Sequence, residues 1–227
     1  MAKILIIDTA LEEAIVALSK DGEIIGELTN KETHSHASFI HVAIEKLLQG
    51  QQMKISELDA IAVTLGPGSY TGLRVGLASA KGIAYTLQKP LIGLSTLSAL
   101  AAAAIQLSST SIVPPYQIFC MIDARRMEVF GAVYDASLNP IVHEQAMVLD
   151  QAKWDSLTMQ PTICIGNGHL KSKAFTSTQQ VTYLDGSYTS QVLAKLAVTK
   201  WAAGQFEDLA YVGPNYLKEV YILPRKM

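Results

Sequence analysis

Two aspartates, one glycine-rich segment and a few histidines are the residues whose type and spacing could do chemistry in this chain of 227 residues. Asp8 and Asp123 each close an apolar run, in Ile7-Asp8-Thr9 and Ile122-Asp123-Ala124. Carboxylates at the ends of parallel strands can face a ligand, because open α/β sheets bind ligands outside those ends. An aspartate after a strand can equally serve the backbone of its own turn. Gly66-Pro67-Gly68-Ser69-Tyr70-Thr71-Gly72-Leu73-Arg74-Val75-Gly76 follows a predicted strand and opens a predicted helix. A helix start offers free N–H groups and a positive dipole end to an anion. The segment lacks the Lys-Ser/Thr pair of a Walker A loop, and Thr71 stands where G-x-G-x-x-G needs its third glycine. The competing reading gives Gly66 and Gly68 to a tight turn, and Gly72, Gly76 and Ala80 to close packing against another helix.

Metal and nucleophile chemistry find no framework. His36 and His41 would diverge by about 140° around a helix, which with His34 is the wrong geometry for one ion. His143 and His169 are isolated, and no Gly-x-Ser-x-Gly elbow is present. Cys120 and Cys164 sit in apolar strand-like runs, where a free thiol behaves as a small buried hydrophobe and fits a reducing cytosol. Asp123-Ala124-Arg125-Arg126-Met127-Glu128 lies between two predicted strands and reads as a solvated hairpin tip. No catalytic residue and no metal ligand is assigned.

The elements that must position these residues follow from periodicity. Lys3–Ile7, Ala14–Lys20 and Glu23–Leu28 read as a meander, the last two joined at Asp21-Gly22, a strong two-residue hairpin signal. Apolar Phe39, Ile40, Ala43, Ile44, Leu47 and Leu48 mark one side of a helix over 36–49. Strand 60–65, helix 71–87, strand 90–94 and an alanine-rich helix 96–106 complete the first half. After Pro114-Pro115 the order recurs: strands 118–123, 128–134 and 140–148, helix 151–157, strand 162–165 and helix 190–203. Strands alternating with helices imply parallel pairing. The expected organisation is an N-terminal lobe 1–106, a linker 107–115, a C-terminal lobe 116–204 and a segment 205–227 that packs back on the first lobe. Facing lobes would bring Asp8 and Asp123 to one cleft.

Composition bounds the partners and the compartment. Half the residues are hydrophobic (49%) and 17% charged, which places the chain among compact globular proteins. The 18 Lys+Arg against 20 Asp+Glu give no concentrated basic surface for gripping nucleic acid alone, and only Lys218, Arg225 and Lys226 make a modest basic end. The start has four apolar residues before Asp8, too few for a signal peptide, and no stretch reaches the ~18 of a membrane span. A cytoplasmic protein with no membrane partner is expected.

The segment Gly66 to Gly76, preceded by Glu32 and His36 and followed by Pro90-Leu91-Ile92-Gly93-Leu94-Ser95-Thr96-Leu97, resembles the TsaB (YeaZ) family; the likeness continues through Ile122-Asp123-Ala124-Arg125 to Tyr216-Leu217-Lys218. The resemblance implies a two-lobed actin-like ATPase (ASKHA, RNase H-like) fold with duplicated βββαβα-type lobes. It implies a non-catalytic partner of TsaD in making threonylcarbamoyladenosine beside the tRNA anticodon, assembling with TsaD and the ATPase TsaE. It further implies a homodimer when TsaD is missing and tRNA contact through the complex. TsaD holds its metal with a His-x-x-x-His pair, and the matching positions here are Thr96 and Leu100, which cannot replace imidazoles. No cofactor is expected to bind this chain independently; a nucleotide shared at the TsaD junction would draw on Asp8, Thr9, Gly66, Gly68 and Asp123. The bulk of Arg125, Arg126 and Met127 after Asp123 argues against phosphates, and Gly166-Asn167-Gly168 falls near an adenosine-contacting turn. His36, Phe39, Ile40, Gly72, Arg74, Gly76 and Ala80 are expected at the partner interface. The alternatives are an independent metalloprotease, as relatives were once labelled, or a free-standing ASKHA ATPase.

Overall fold

The computed structural model describes residues 1–32, 36–108 and 116–218, with His36 in backbone only. Most of the expected linker, His34, Arg225 and Lys226 lie outside the described residues. The first lobe is built from β1 (Lys3–Asp8), β2 (Ala14–Lys20), β3 (Glu23–Asn30), α1 (His36–Gly50), β4 (Ala60–Gly66), α2 (Tyr70–Leu87), β5 (Leu91–Ser95) and α3 (Thr96–Ser108). The second contains β6 (Gln117–Asp123), β7 (Glu128–Asp135), β8 (Pro140–Val148), α4 (Gln151–Leu157), β9 (Thr162–Ile165), β10 (Val181–Leu184) and α5 (Ser190–Ala202).

The two sheets have one topology. The first runs β3-β2-β1-β4-β5 and the second, read from its other end, β8-β7-β6-β9-β10. In each, three strands pair antiparallel as a meander. The first strand of the meander then pairs parallel with a fourth, which pairs parallel with a fifth. Strand β10 escaped the periodicity because Val181–Leu184 is four half-buried residues without a full alternation. Between β9 and β10, where the first lobe has α2, the second has only a 3₁₀ helix, Asn167–Ala174.

Both central strands are apolar through their middles, residues 4–7 and 118–122, because both their faces are covered. In β1, Ile4 and Ile6 point into a central core while Leu5 and Ile7 point into an outer one under α1 and α2. In β6, Ile118, Cys120 and Ile122 join the same central core, and Phe119 and Met121 face an outer one built around Trp154 of α4. The central core belongs to both lobes. Helix α3, from the first half of the chain, packs on β6 and β9, whereas α5, from the second, packs on β1, β3 and β5. Thr189 caps α5, and Gln191 side-chain Nε2 donates to Gly22 O at 2.7 Å, tying the helix to the β2–β3 hairpin. That hairpin turns at Asp21 and Gly22, both with positive φ (53° and 84°), the turn its sequence called for. After α5 the chain runs along the first lobe: Glu207 bridges Leu91 at the β5 edge, and Asn215 N–H donates to Leu65 O at 2.7 Å. Covering that edge strand removes an exposed row of backbone groups.

Candidate functional site

The carboxyl ends of β1, β4, β6 and β9 meet at a cleft between the lobes. Its inner part, about 370 Å³, is lined by Asp8, Leu11, Lys31, Leu100, Ile122, Gly166 and Tyr188 among others. Its mouth, about 740 Å³, lies between the start of α2 (Gly68 to Gly72) and the Asp123–Arg125 turn; Leu11, Glu12, Ile122 and Asn167 border both parts. Asp8 and Asp123 therefore do reach one cleft from matching positions.

Each aspartate is also engaged by its own turn. Asp8, buried, accepts from Ala10 N–H at 2.9 Å and from the Thr64 hydroxyl at 2.6 Å. Asp123 accepts from Arg125 N–H at 2.6 Å and from the Lys171 ammonium at 2.6 Å. The bond to residue i+2 recurs in both lobes, so the turn-forming role foreseen for an aspartate after a strand is realised twice. Arg125 and Arg126 sit at the exposed hairpin tip with positive φ (68° and 48°).

The Lys171 hydrogen bond holds the Asp123 carboxyl below its ordinary range against the upward push of burial, with a lesser lowering from the Arg125 N–H. A lowered folded value contributes stability above the unfolded carboxyl's value of about 3.9, and that contribution is lost as pH falls through the folded value. The pair is half exposed on the Asp123 side, which limits its worth to less than about 1 kcal/mol. Asp123→Asn is accordingly expected to lower stability by a few tenths of a kcal/mol at pH 7, with the difference shrinking as pH falls below about 3.9 and through the lowered folded value. Urea midpoints of both proteins across pH 2.5–7 check it; a constant difference would assign the effect to packing.

The glycine segment proves to be a packing device. Thr9 hydroxyl donates to Gly72 O at 2.7 Å, and Ser69 N–H donates to Ala10 O at 2.7 Å. A Cβ at Gly68 would lie 2.2 Å from Ala10 O, one at Gly72 2.1 Å from Thr9 O, and one at Gly76 2.3 Å from Thr9 Oγ1. The stripe thus admits the end of β1, where the sequence suggested a second helix. Gly66 has φ 111° and turns the chain out of β4. The helix start is also partly spent as an anion site: Ser69 N–H is taken by Ala10 O, and Gly72 N–H by the Ser69 hydroxyl that caps α2.

The remaining sequence candidates divide by location. Ile40, Gly72, Gly76 and Ala80, expected on a partner surface, are buried inside the first lobe. Phe39 is half-buried against the outer core, and Arg74 is exposed. The guanidinium of Arg74 lies 4.1 Å from the Tyr70 ring centroid, and its Nε donates to Tyr216 OH at 2.9 Å. Thr9 is wholly buried beneath α2.

Thr96 and Leu100, one turn apart on α3, are both buried, and Leu100 lines the inner part of the cleft. A hydroxyl and a branched alkyl group do not suit a metal ion there. Among the described residues no three His, Cys, Asp or Glu side chains gather into a metal-binding group. Tyr188 occupies this floor instead: burial, then the Asp8 carboxylate and its hydrogen bond, push the phenol far above its usual range. Tyr188 carries no signal in the sequence, because the loop before α5 has no periodicity to place it. His169 is likewise buried rather than solvated, its Nδ1 2.6 Å from Gly166 O. Lys31 and Arg125 supply positive charge to the inner part and the mouth of the cleft. Glu12 and Asp123 join Asp8 on the cleft walls, and the loop carbonyls of Thr9 and Ala10 fill the approach to α2.

Duplicated five-stranded sheets, crossed helices and a cleft at the strand ends define a two-lobed α/β protein of the actin-like class. Within that class the chain belongs to the TsaD family: the family described as "TsaD: tRNA N6-adenosine threonylcarbamoyltransferase" matches residues 19–217. It also resembles TsaB (YeaZ). It is 35% identical over 143 residues to the tRNA threonylcarbamoyladenosine biosynthesis protein TsaB of Escherichia coli (strain K12), covering 62% of this chain and 58% of that protein. It is 32% identical over 154 residues to TsaB of Bacillus subtilis (strain 168), covering 66% and 63%. The matched region thus spans roughly three fifths of those relatives' length. YeaZ from Pseudomonas aeruginosa superposes with a TM-score of 0.80 at 25% identity, over 96% of this chain and 100% of that one.

Proposed function

We propose that this chain is a non-catalytic partner of TsaD in the biosynthesis of threonylcarbamoyladenosine in tRNA, acting in the cytoplasm with TsaE. The observation that carries the reading is the pair Thr96 and Leu100, buried on α3 with Leu100 lining the cleft, where the resemblance to TsaD would place two histidines. A cleft so furnished supports neither metal-dependent proteolysis nor independent phosphate chemistry. Any nucleotide at the junction would be held chiefly by TsaD, with this chain's cleft mouth beside it, and tRNA would be met by the assembly. Among the described residues no helix is long and apolar enough to cross a membrane.

Partner binding falls to the outer surface of α1 and α2. Between these helices runs a groove of about 560 Å³ lined by His41, Ile55, Ala78, Ser79, Gly82 and Ile83, with Val42 half exposed on α1. Small residues along it let a partner helix come close. The same face would pair two copies when TsaD is absent. Gly82 is the position to test, since a Cβ there meets nothing within 4 Å, whereas any side chain at Gly76 collides with Thr9. Gly82→Arg is expected to weaken TsaD binding by at least about 100-fold with the thermal midpoint unchanged or raised. Co-purification and titration with TsaD measure it. Wild-type affinity in this variant would remove α1 and α2 from the interface.

A further inference from the structure

We infer that Glu144, Asn215 and Lys218 form a clasp that fixes the angle between the lobes from within the chain, independently of anything bound in the cleft. Glu144, on β8, receives hydrogen bonds from three separate parts of the molecule. The Ser95 hydroxyl, at the end of β5, donates to its Oε1. The Tyr134 phenol, on β7, donates to the same oxygen at 3.1 Å. Asn215 Nδ2, in the segment after α5, donates to Oε2 at 2.9 Å. One carboxylate thus joins the first lobe, the second lobe and the C-terminal segment.

Its partners are themselves held. Ser95 Oγ accepts from Ser98 N–H at 3.1 Å in the first turn of α3, which fixes the hydroxyl's position. Burial, and then the charge of Glu144, push the Tyr134 phenol upward, which keeps it a donor at neutral pH. The segment around Asn215 is bound to the first lobe through Leu65 O, and Tyr216 stacks on Tyr70 with ring centroids 5.0 Å apart. Lys218 then reaches back across to the carboxylate of Glu128 on β7. Residues 215–218 therefore grip the first lobe at Leu65 and Tyr70, and the second at Glu144 and Glu128. A hinge motion between the lobes has to break these bonds together.

Spin labels at Glu23→Cys on β3 and Met159→Cys beyond α4, both exposed, report the lobe-to-lobe distance; the native Cys120 and Cys164 are buried and escape labelling. The labelled protein is expected to give one narrow distance distribution. Glu144→Ala is expected to add a second, displaced population, raising its fraction at least tenfold, and Asn215→Ala to do the same to a smaller degree. Glu144→Gln, which keeps the carbonyl acceptor for Ser95 and Tyr134 but turns its NH2 on Asn215 Nδ2, should match Asn215→Ala and fall short of Glu144→Ala. A folded Glu144→Ala protein with an unchanged distribution would overturn the clasp. If Glu144→Ala does not fold, an unchanged distribution in Asn215→Ala has the same force. Because no partner is present in this measurement, its outcome is separate from that of the TsaD-binding test.

Discussion

Gly72→Ala and Gly76→Ala are each expected to destabilise the protein by about 3 kcal/mol, while Gly82→Ala, on the same helix, stabilises it by roughly 0.5–1 kcal/mol. The opposite signs follow from what each added methyl meets. At Gly72 it would lie 2.1 Å from the Thr9 carbonyl oxygen, and at Gly76 2.3 Å from the Thr9 hydroxyl. Thr9 cannot withdraw: it is wholly buried, and its hydroxyl already donates to Gly72 O. Helix α2 must then lift off β1, opening the outer core where Leu77, Ala80 and Ala84 pack on Ile7 and Val63. At Gly82 the methyl meets nothing within 4 Å, so only the helix propensity of alanine counts. Urea unfolding followed by circular dichroism measures all three variants. Gly72→Ala with wild-type stability would mean that α2 can retreat freely and that the glycine stripe is not a packing device.

How much of this the sequence shows depends on whether a residue's role is set locally or by distant partners. The meander at the start, the helices and the duplicated order are legible because strand and helix periodicities are local, and Asp21-Gly22 carries its own turn geometry. The cleft was reached by inference from two aspartates at matching strand ends, and its walls contain both. The glycine stripe was correctly read as close packing, but what it packs against is Thr9, some sixty residues earlier in the chain and invisible to spacing. That is also why Gly72, Gly76 and Ala80 looked like surface: small residues at helical spacing mark a close contact without saying which side of the lobe supplies it. Tyr188, Glu144 and Asn215 give no local signal at all. Their importance comes from being joined across the lobes, and a lone Tyr, Glu or Asn in a loop or edge strand is ordinarily solvated.

Placing histidines at Thr96 and Leu100 together is expected to lower stability by about 3–5 kcal/mol without creating a metal site. Their spacing on α3 is one helical turn, which by itself would suit two ligands for one ion. The surroundings do not suit it. Leu100 is wholly buried in the core shared by the two lobes, and its Cδ1 would lie only 2.9 Å from a Cβ placed at Gly166. An imidazole there loses the packing of a buried leucine, a deficit of about 2–5 kcal/mol, and leaves ring nitrogens in an apolar layer. At Thr96 a ring would compete with Tyr188 for the space beside Asp8. Asp8, beside Tyr188, is already committed to Thr64 and to Ala10 N–H, so recruiting it as a third ligand would dismantle the β1 turn. Urea unfolding of the double variant with and without excess zinc distinguishes the outcomes, because a metal that binds only the folded state raises the midpoint by mass action. A midpoint that climbs with zinc would show that two substitutions suffice to restore a metal centre, and the cleft would have to be regarded as a catalytic site lacking two ligands. An unmoved midpoint on a weakened fold is the expected result, for this floor is built as core, and α3 serves here to hold the lobes together.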